Sequence, residues 1–249
     1  MSEQAVLSRN SESVGRIINS AFPPMRGMPV EFLDEGWDFR VFEVGGEWVF
    51  RFPKHEGSVH KLKMELALLP KLNLLRTVTD SPSLRIPDYE YSGISPGDQG
   101  WPFAGYRKLP GIPGHACEEI DWPSVTCQLG SFLSWLHGCS IDSARQVGVP
   151  EMPDLVDYWH VRSLAELETL SVDQVDNGEV RRFLEDHRPA SFAGPMCLTH
   201  NDLFIEHVLL HPGSGRISAI IDWSDAVIGE PVLDFGALYS WLGTKRVQR

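Results

Sequence analysis

Three side chains late in the sequence have the types that metal-assisted proton and phosphoryl chemistry requires. Asp202 lies in a polar loop just after the short apolar run Cys197-Leu198-Thr199, His207 follows five residues on, and Asp222 ends the run Ser218-Ala219-Ile220-Ile221. A turn at Gly213-Ser214-Gly215 would fold Asp222 back beside His207, so two short hairpin arms could bring one base and two cation ligands to a point. Phosphoryl transfer needs such a set: a carboxylate orients and deprotonates the attacking hydroxyl, and divalent cations neutralise charge on the phosphate oxygens. Magnesium prefers oxygen ligands and keeps several waters, so one or two carboxylates suffice and a histidine is the less usual ligand. Singly these residues mean little, since an aspartate after a strand is ordinarily a turn residue and a lone histidine a packing one. The ordered set carries the argument.

The elements that must position this set can be read from periodicity. Val14, Ile17, Ile18 and Phe22 predict an amphipathic helix over residues 10–22, with Asn10 or Ser11 as its cap. Strands are expected at 30–33 and 39–44, followed by a tight Gly45-Gly46 turn and a third strand over 47–52 that Pro53 ends. A helix over 58–69 carries Glu65 and turns Leu62, Leu66 and Leu69 inward. Strands at 86–91 and 101–109 follow, with a turn at 95–97 between them. The breaker cluster Pro110-Gly111-Ile112-Pro113-Gly114 places a boundary between a lobe of residues 1–109 and one of residues 110–249. Beyond it the pattern turns helical, with helices at 123–137, 154–170, 178–187 and from 232 to 242, an acidic loop at 172–177, and short strands at 197–199, 208–210 and 217–222. The fold class is therefore α+β in two lobes, β-rich first and mainly helical second, and a cleft between lobes is a natural ligand site.

Composition narrows the partners. The 249 residues carry 22 basic and 34 acidic side chains, a net charge of −12 that repels a nucleic-acid backbone and attracts a cationic ligand. The cysteines, Cys117, Cys127, Cys139 and Cys197, form no C-x-x-C pair, which argues against zinc and dithiol chemistry and fits free thiols in a reducing compartment. The polar N-terminus has no signal-peptide core and no apolar run is long enough to span a bilayer, so a cytoplasmic protein without membrane attachment is expected.

Taken together, His200-Asn201-Asp202-Leu203, His207 and Ile221-Asp222-Trp223 resemble the aminoglycoside and macrolide phosphotransferase family, whose common form is H-G-D-L-x-x-x-N/H, then I-D-W, then G-D-P-x-x-D. Here the last element reads Gly229-Glu230-Pro231-Val232-Leu233-Asp234. The resemblance spans about residue 30 to 242 and implies a two-lobed relative of protein kinases. It also implies a magnesium-dependent transfer from ATP or GTP to a small-molecule hydroxyl. On that basis Asp202 is the catalytic base, His207 and Asp222 are the metal ligands, His200 is the loop's scaffold histidine, and Asp234 is the buried brace of the loop. Asn201 for Gly and Glu230 for Asp are departures.

The same resemblance assigns the first lobe. Arg51 takes the place of the kinase strand lysine and Glu65 that of its helix partner; an arginine keeps the charge and adds a planar fork able to grip phosphate. Residues 34–39, with the single glycine Gly36, are the expected phosphate loop, and backbone groups of Arg107 and Leu109 are expected to bind the purine with Tyr106 behind it. Tyr106 would narrow that pocket, so GTP is expected to serve at least as well as ATP. Asp225, with Glu118, Glu119, Asp154 and Asp157, falls where the family meets its acceptor, and Trp122, Trp159, Trp223 and Trp241 are candidate apolar walls. Family members continue for several helices past the last element, whereas this chain ends at Arg249, so a short second lobe is expected. An aminoglycoside or macrolide acceptor is the leading reading. A kinase for a small metabolite and a catalytically silent nucleotide-binding protein stay open as alternatives.

Overall fold

Glycine turns and alternating apolar residues build an antiparallel sheet from the first half of the chain. In a computed structural model describing residues 10–78, 84–96, 100–152, 154–169, 177–243 and 247, its strands are β1 (Val30–Glu35), β2 (Phe39–Val44), β3 (Trp48–Pro53), β4 (Tyr89–Ile94) and β5 (Pro102–Arg107), ordered β1-β2-β3-β5-β4. Gly45 and Gly46, at φ 62° and 71°, supply the left-handed backbone that the β2–β3 turn demands. Helix α1 (Ser11–Ala21) is capped by the Asn10 side chain, which accepts from the N–H groups of Glu12 and Ser13. Its Val14 and Ile18 pack on the aromatic face of the sheet formed by Phe42, Phe50, Phe52 and Phe103.

β1 runs two residues further and β5 is shorter than expected, and the two larger departures, in the next helix and in β4, tie the lobes together. Helix α2 runs from Glu56 to Val78, through Pro70, rather than stopping at residue 69. The ring removes one backbone donor, but Leu68, Leu69 and Leu72 are buried in the same cluster as the second half's helices, and that burial carries the helix past the proline. Strand β4 begins at Tyr89, not at residue 86. The segment before it is captured instead by the second half: Arg85 donates its N–H to Ser218 O at 3.0 Å and accepts from Ile220 N at 2.9 Å. Pro87, which has no N–H, separates the two pairings.

The second half packs helices α3 (Trp122–His137), α4 (Ile141–Gln146), α5 (Leu155–Thr169), α6 (Asn177–Asp186) and α7 (Val232–Leu242) with short strands. Helix α4 and strand β10 (Val227–Gly229) were not expected from periodicity. Strand β7 (Cys197–Thr199) pairs with β10, while β6 (Ile112–Pro113), β8 (Val208–Leu210) and β9 (Ile217–Ile220) form a separate sheet in the order β6-β8-β9. Among the described residues of this half only β8–β9 is a hairpin, so the expected pair of hairpin arms is one arm plus a strand held by β10. The core joins Leu129, Phe132, Leu133 and Leu136 of α3 to Trp223, Ile220, Leu203 and the α2 leucines. Trp223, a candidate acceptor wall, is fully buried there. No helix among the described residues is long and apolar enough to cross a membrane. Residue 97 of the expected turn, residues 172–176 of the acidic loop and most of the ending after 243 lie outside the described residues.

Candidate active site

Asp202, His207 and Asp222 do converge: each offers one ligating atom, and these atoms lie within 4.8 Å of one another. The loop after β7 delivers Asp202, a short 3-10 turn delivers His207 immediately before β8, and the backbone leaving β9 delivers Asp222. The ladder fixes the register, with Val208 opposite Ile220 and Ile221 N donating to His207 O at 2.9 Å. His207 Nδ1 donates to Asp202 O at 2.8 Å, with Asp202 Oδ2 at 3.2 Å, which leaves Nε2 facing Asp222 Oδ2 at 3.7 Å. An imidazole whose Nδ1 proton is held by a carbonyl presents Nε2 as a metal-ligating atom, so the donor set of two carboxylates and one imidazole fits a divalent cation. Burial works against the charge on His207, but the hydrogen bond to Asp202 and the charge of Asp222 push its pKa up to about 9.

Two residues of the site sit in left-handed backbone, Asn201 at φ 64° and Asp222 at φ 62°. Asn and Asp tolerate that region better than other side chains; this is why an asparagine can stand where the motif has glycine. Hydrogen bonds lock the loop. Buried His200 donates Nε2–H to Ile221 O at 3.1 Å and accepts from Asp202 N on Nδ1 at 3.3 Å, a pattern that needs the neutral ring, and burial lowers its pKa accordingly. Asp234, fully buried on α7, accepts from Asn201 N at 2.7 Å and meets His137 Nε2 at 2.8 Å. Glu230 is buried and accepts from Leu155 N at 3.1 Å, at the start of α5.

Arg51 joins the first lobe to this site. Its Nη1 reaches both Glu65 oxygens, at 2.7 and 2.8 Å, and its Nη2 reaches Asp222 Oδ1 at 2.6 Å. The guanidinium also stacks 4.0 Å from the Phe39 ring centroid. Burial disfavours its charge, yet Asp222 and Glu65 hold its pKa well above the ordinary value. Although burial pushes upward on Asp222, Arg51 and His207 keep its pKa well below the usual carboxylate range. Glu65 itself is pushed up, by its burial first and by the nearby charge of Asp222, against the downward pull of Arg51 and the Tyr89 hydrogen bond. The Tyr89 hydroxyl donates to Glu65 Oε2 at 2.5 Å, and Tyr89 packs edge-to-face on buried Tyr106 at 5.3 Å.

The remaining expected residues are placed as follows. Gly36 is at the β1–β2 hairpin tip, where its carbonyl accepts from Lys54 Nζ at 2.9 Å. Arg107 ends β5 with its side chain over Trp48, at 4.6 Å, and Leu109 lies two residues beyond. Lys108 between them donates its N–H to Glu47 O at 2.7 Å. The Asp225 carboxylate is bonded to Lys61 at 2.7 Å. Asp154 accepts from Asp157 N at 3.0 Å and Asp157 pairs with Arg188, so both take part in local contacts. Sequence reasoning passed over Tyr89, for which the sequence holds no signal, and Lys61, whose place four residues before Glu65 on one helix face was such a signal.

The chain is similar to proteins known by sequence and by structure. It is 26% identical over 226 residues to the uncharacterized protein YcbJ of Bacillus subtilis, a match covering 87% of this chain and 71% of that one. It superposes on the GDP and kanamycin complex of the aminoglycoside phosphotransferase APH(2″)-IIIa with a TM-score of 0.79 and 27% identity, covering 94% of this chain and 80% of the other. The macrolide 2′-phosphotransferase MphH of Brachybacterium faecium shares the fold, at TM-score 0.61 and 23% identity over 88% of this chain and 75% of that one. The sequence pattern of the phosphotransferase enzyme family matches residues 29–249. With the two-lobed fold and the converging side chains, that match over most of the chain places this protein in the phosphotransferase enzyme family.

Proposed function

We propose that this enzyme transfers the γ-phosphate of ATP or GTP to a hydroxyl of an aminoglycoside or macrolide antibiotic. The observation that carries the reading is the meeting of Asp202, His207 and Asp222 within 4.8 Å, beside the Arg51–Glu65 pair. Asp202 orients the acceptor hydroxyl and takes its proton. His207 and Asp222 would hold magnesium, which when bound would supply charge neutralisation at the phosphate oxygens. Arg51, positioned by Glu65, grips the triphosphate; His200 and Asp234 fix the loop on which Asp202 sits. Residues 1–109 act as the nucleotide lobe, with Gly36 at the phosphates and the backbone of Arg107 and Leu109 at the base. Residues 110–249 carry the catalytic and acceptor groups.

Tyr106 is buried and packs edge-to-face on Tyr89; we take it to narrow the base site, so GTP should serve at least as efficiently as ATP. The net charge of −12 and the 27% identity to a kanamycin-binding relative favour the cationic aminoglycoside class over macrolides. The test is nucleoside diphosphate release by the purified enzyme with each antibiotic and each nucleotide, alongside resistance of a sensitive host expressing the chain. Turnover stimulated by an aminoglycoside and a matching rise in resistance are expected. Turnover only with small metabolites would reject the antibiotic reading, nucleotide binding without any transfer would reject the enzymatic one, and a strong ATP preference would reject the role given to Tyr106.

A further inference from the structure

Helix α2 meets the turn after β9 at two places. Glu65 reaches it indirectly, through Arg51 to Asp222, while Lys61, one helical turn earlier, reaches it directly. Lys61 Nζ lies 2.7 Å from Asp225 Oδ1 and 2.8 Å from Asp38 Oδ2. Asp38 is buried in the turn at the β1–β2 hairpin tip, its other oxygen is 3.1 Å from His55 Nε2, and its carbonyl accepts from Lys54 N at 2.9 Å. One ammonium therefore joins the hairpin tip of the first lobe, helix α2 and the turn that carries Asp222. Without it, two carboxylates would face each other with no cation between them. Lys61 is itself partly exposed, with 32% of its side chain accessible, so the contact adds little to global stability. What it fixes is relative placement.

We propose that Lys61 is a positioning residue for phosphoryl transfer, clamping the phosphate-side hairpin and helix α2 onto the Asp222–Asp225 turn through Asp38 and Asp225. The inference rests on the phosphotransferase reading above and deepens it. It gives Asp225 a structural partner inside the protein, as one jaw of the clamp. Because Lys61 and Glu65 ride on the same rigid helix, holding one holds the other, and Arg51 and Asp222 then face a common triphosphate.

The test uses the full chain with Lys61→Met, Asp225→Asn, the double variant and Lys61→Arg. Lys61→Met is expected to lower kcat/KM for the nucleotide roughly 10–100-fold, with KM for the acceptor little changed. Asp225→Asn falls the same way, the double variant falls no further than the worse single one, and Lys61→Arg recovers most of the loss. Amide hydrogen exchange quickens at residues 36–39 and 223–226, and the melting temperature stays within about 3 °C of wild type. Unchanged kinetics with unchanged exchange in Lys61→Met, strictly additive losses, or a loss matched by global destabilisation would overturn the clamp. Should the wild type bind magnesium nucleotide yet transfer nothing, the parent reading falls by itself. The exchange pattern and the nucleotide Kd of Lys61→Met then decide the clamp.

Discussion

Asp234 offers the sharpest quantitative test of how the catalytic loop is held. Its two carboxylate oxygens are fully buried and both engaged, Oδ1 by the Asn201 N–H at 2.7 Å and Oδ2 by His137 Nε2 at 2.8 Å. Asn201 stands at φ 64°, so its N–H depends on that acceptor to hold the residue there. Truncation by Asp234→Ala removes two hydrogen bonds to a charged group at about 1.5–3 kcal/mol each, roughly 3–6 kcal/mol in all. That is a large fraction of the ~5–15 kcal/mol by which a typical domain is stable. For a chain of this size the melting temperature should fall by about 6–24 °C. Asp234→Asn keeps the shape and one acceptor. Its oxygen can take the Asn201 N–H, and its amide can donate to His137 Nε2 once that ring carries its proton on Nδ1, so a loss of only about 1–2 kcal/mol is expected. Asp202 lies one residue beyond Asn201, so the alanine variant should also lose roughly 10²-fold in kcat while the asparagine variant keeps most of it. Urea and thermal unfolding followed by circular dichroism, with diphosphate release for turnover, measure both. Alanine and asparagine variants that agree within about 0.5 kcal/mol would refute the reasoning.

Three further outcomes are expected. Asp202→Asn should lower kcat about 10²–10⁴-fold while nucleotide affinity, measured by titration, survives; full turnover would exclude Asp202 as the base. Arg51→Lys should weaken nucleotide binding and destabilise by about 1–3 kcal/mol, because a single ammonium cannot reproduce the planar fork that holds Glu65 and Asp222 at once; unchanged affinity and melting would contradict this. In magnesium-free protein the His207 pKa is raised from 6.5 to about 9, so the stabilisation from its charged form is complete below about pH 6.5 and is lost as pH rises through 9. The metal-free melting temperature should therefore fall between pH 7 and 9. Magnesium affinity should rise by up to about tenfold per pH unit over the same range, since the ion must displace the proton; a flat affinity profile would remove His207 from the ligand set.

Much of this was legible in the sequence because the signals were local. Gly45-Gly46 fixes a turn by backbone freedom alone, the α3 leucines repeat at the helical period, and the motif around Asp202 is contiguous. The turn at residues 213–215 likewise set the β8–β9 register that places Asp222 beside His207. Helix α4, six residues long, is too short for a helical period to show, and β10 was missed because its pairing is with distant β7 across a stretch that reads as a turn before the motif's glycine. The extent of α2 was missed for a different reason: Pro70 is a strong local stop signal, and nothing near it in sequence reveals the leucine-lined core that outweighs it.

The sequence by itself limited the chemistry open to this protein: the types, order and spacing of Asp202, His207 and Asp222 suggest a base and two cation ligands, and the family resemblance adds Arg51 with Glu65. Only the tertiary structure decided how those groups are coupled. Arg51 bridges two carboxylates far apart along the chain, Lys61 bridges two more, and Asp234 reaches back to Asn201. Such pairings depend on which surfaces pack when the apolar residues of both halves enter one core. Local propensity acts over a few residues and cannot encode a contact whose partners meet only after that core has closed.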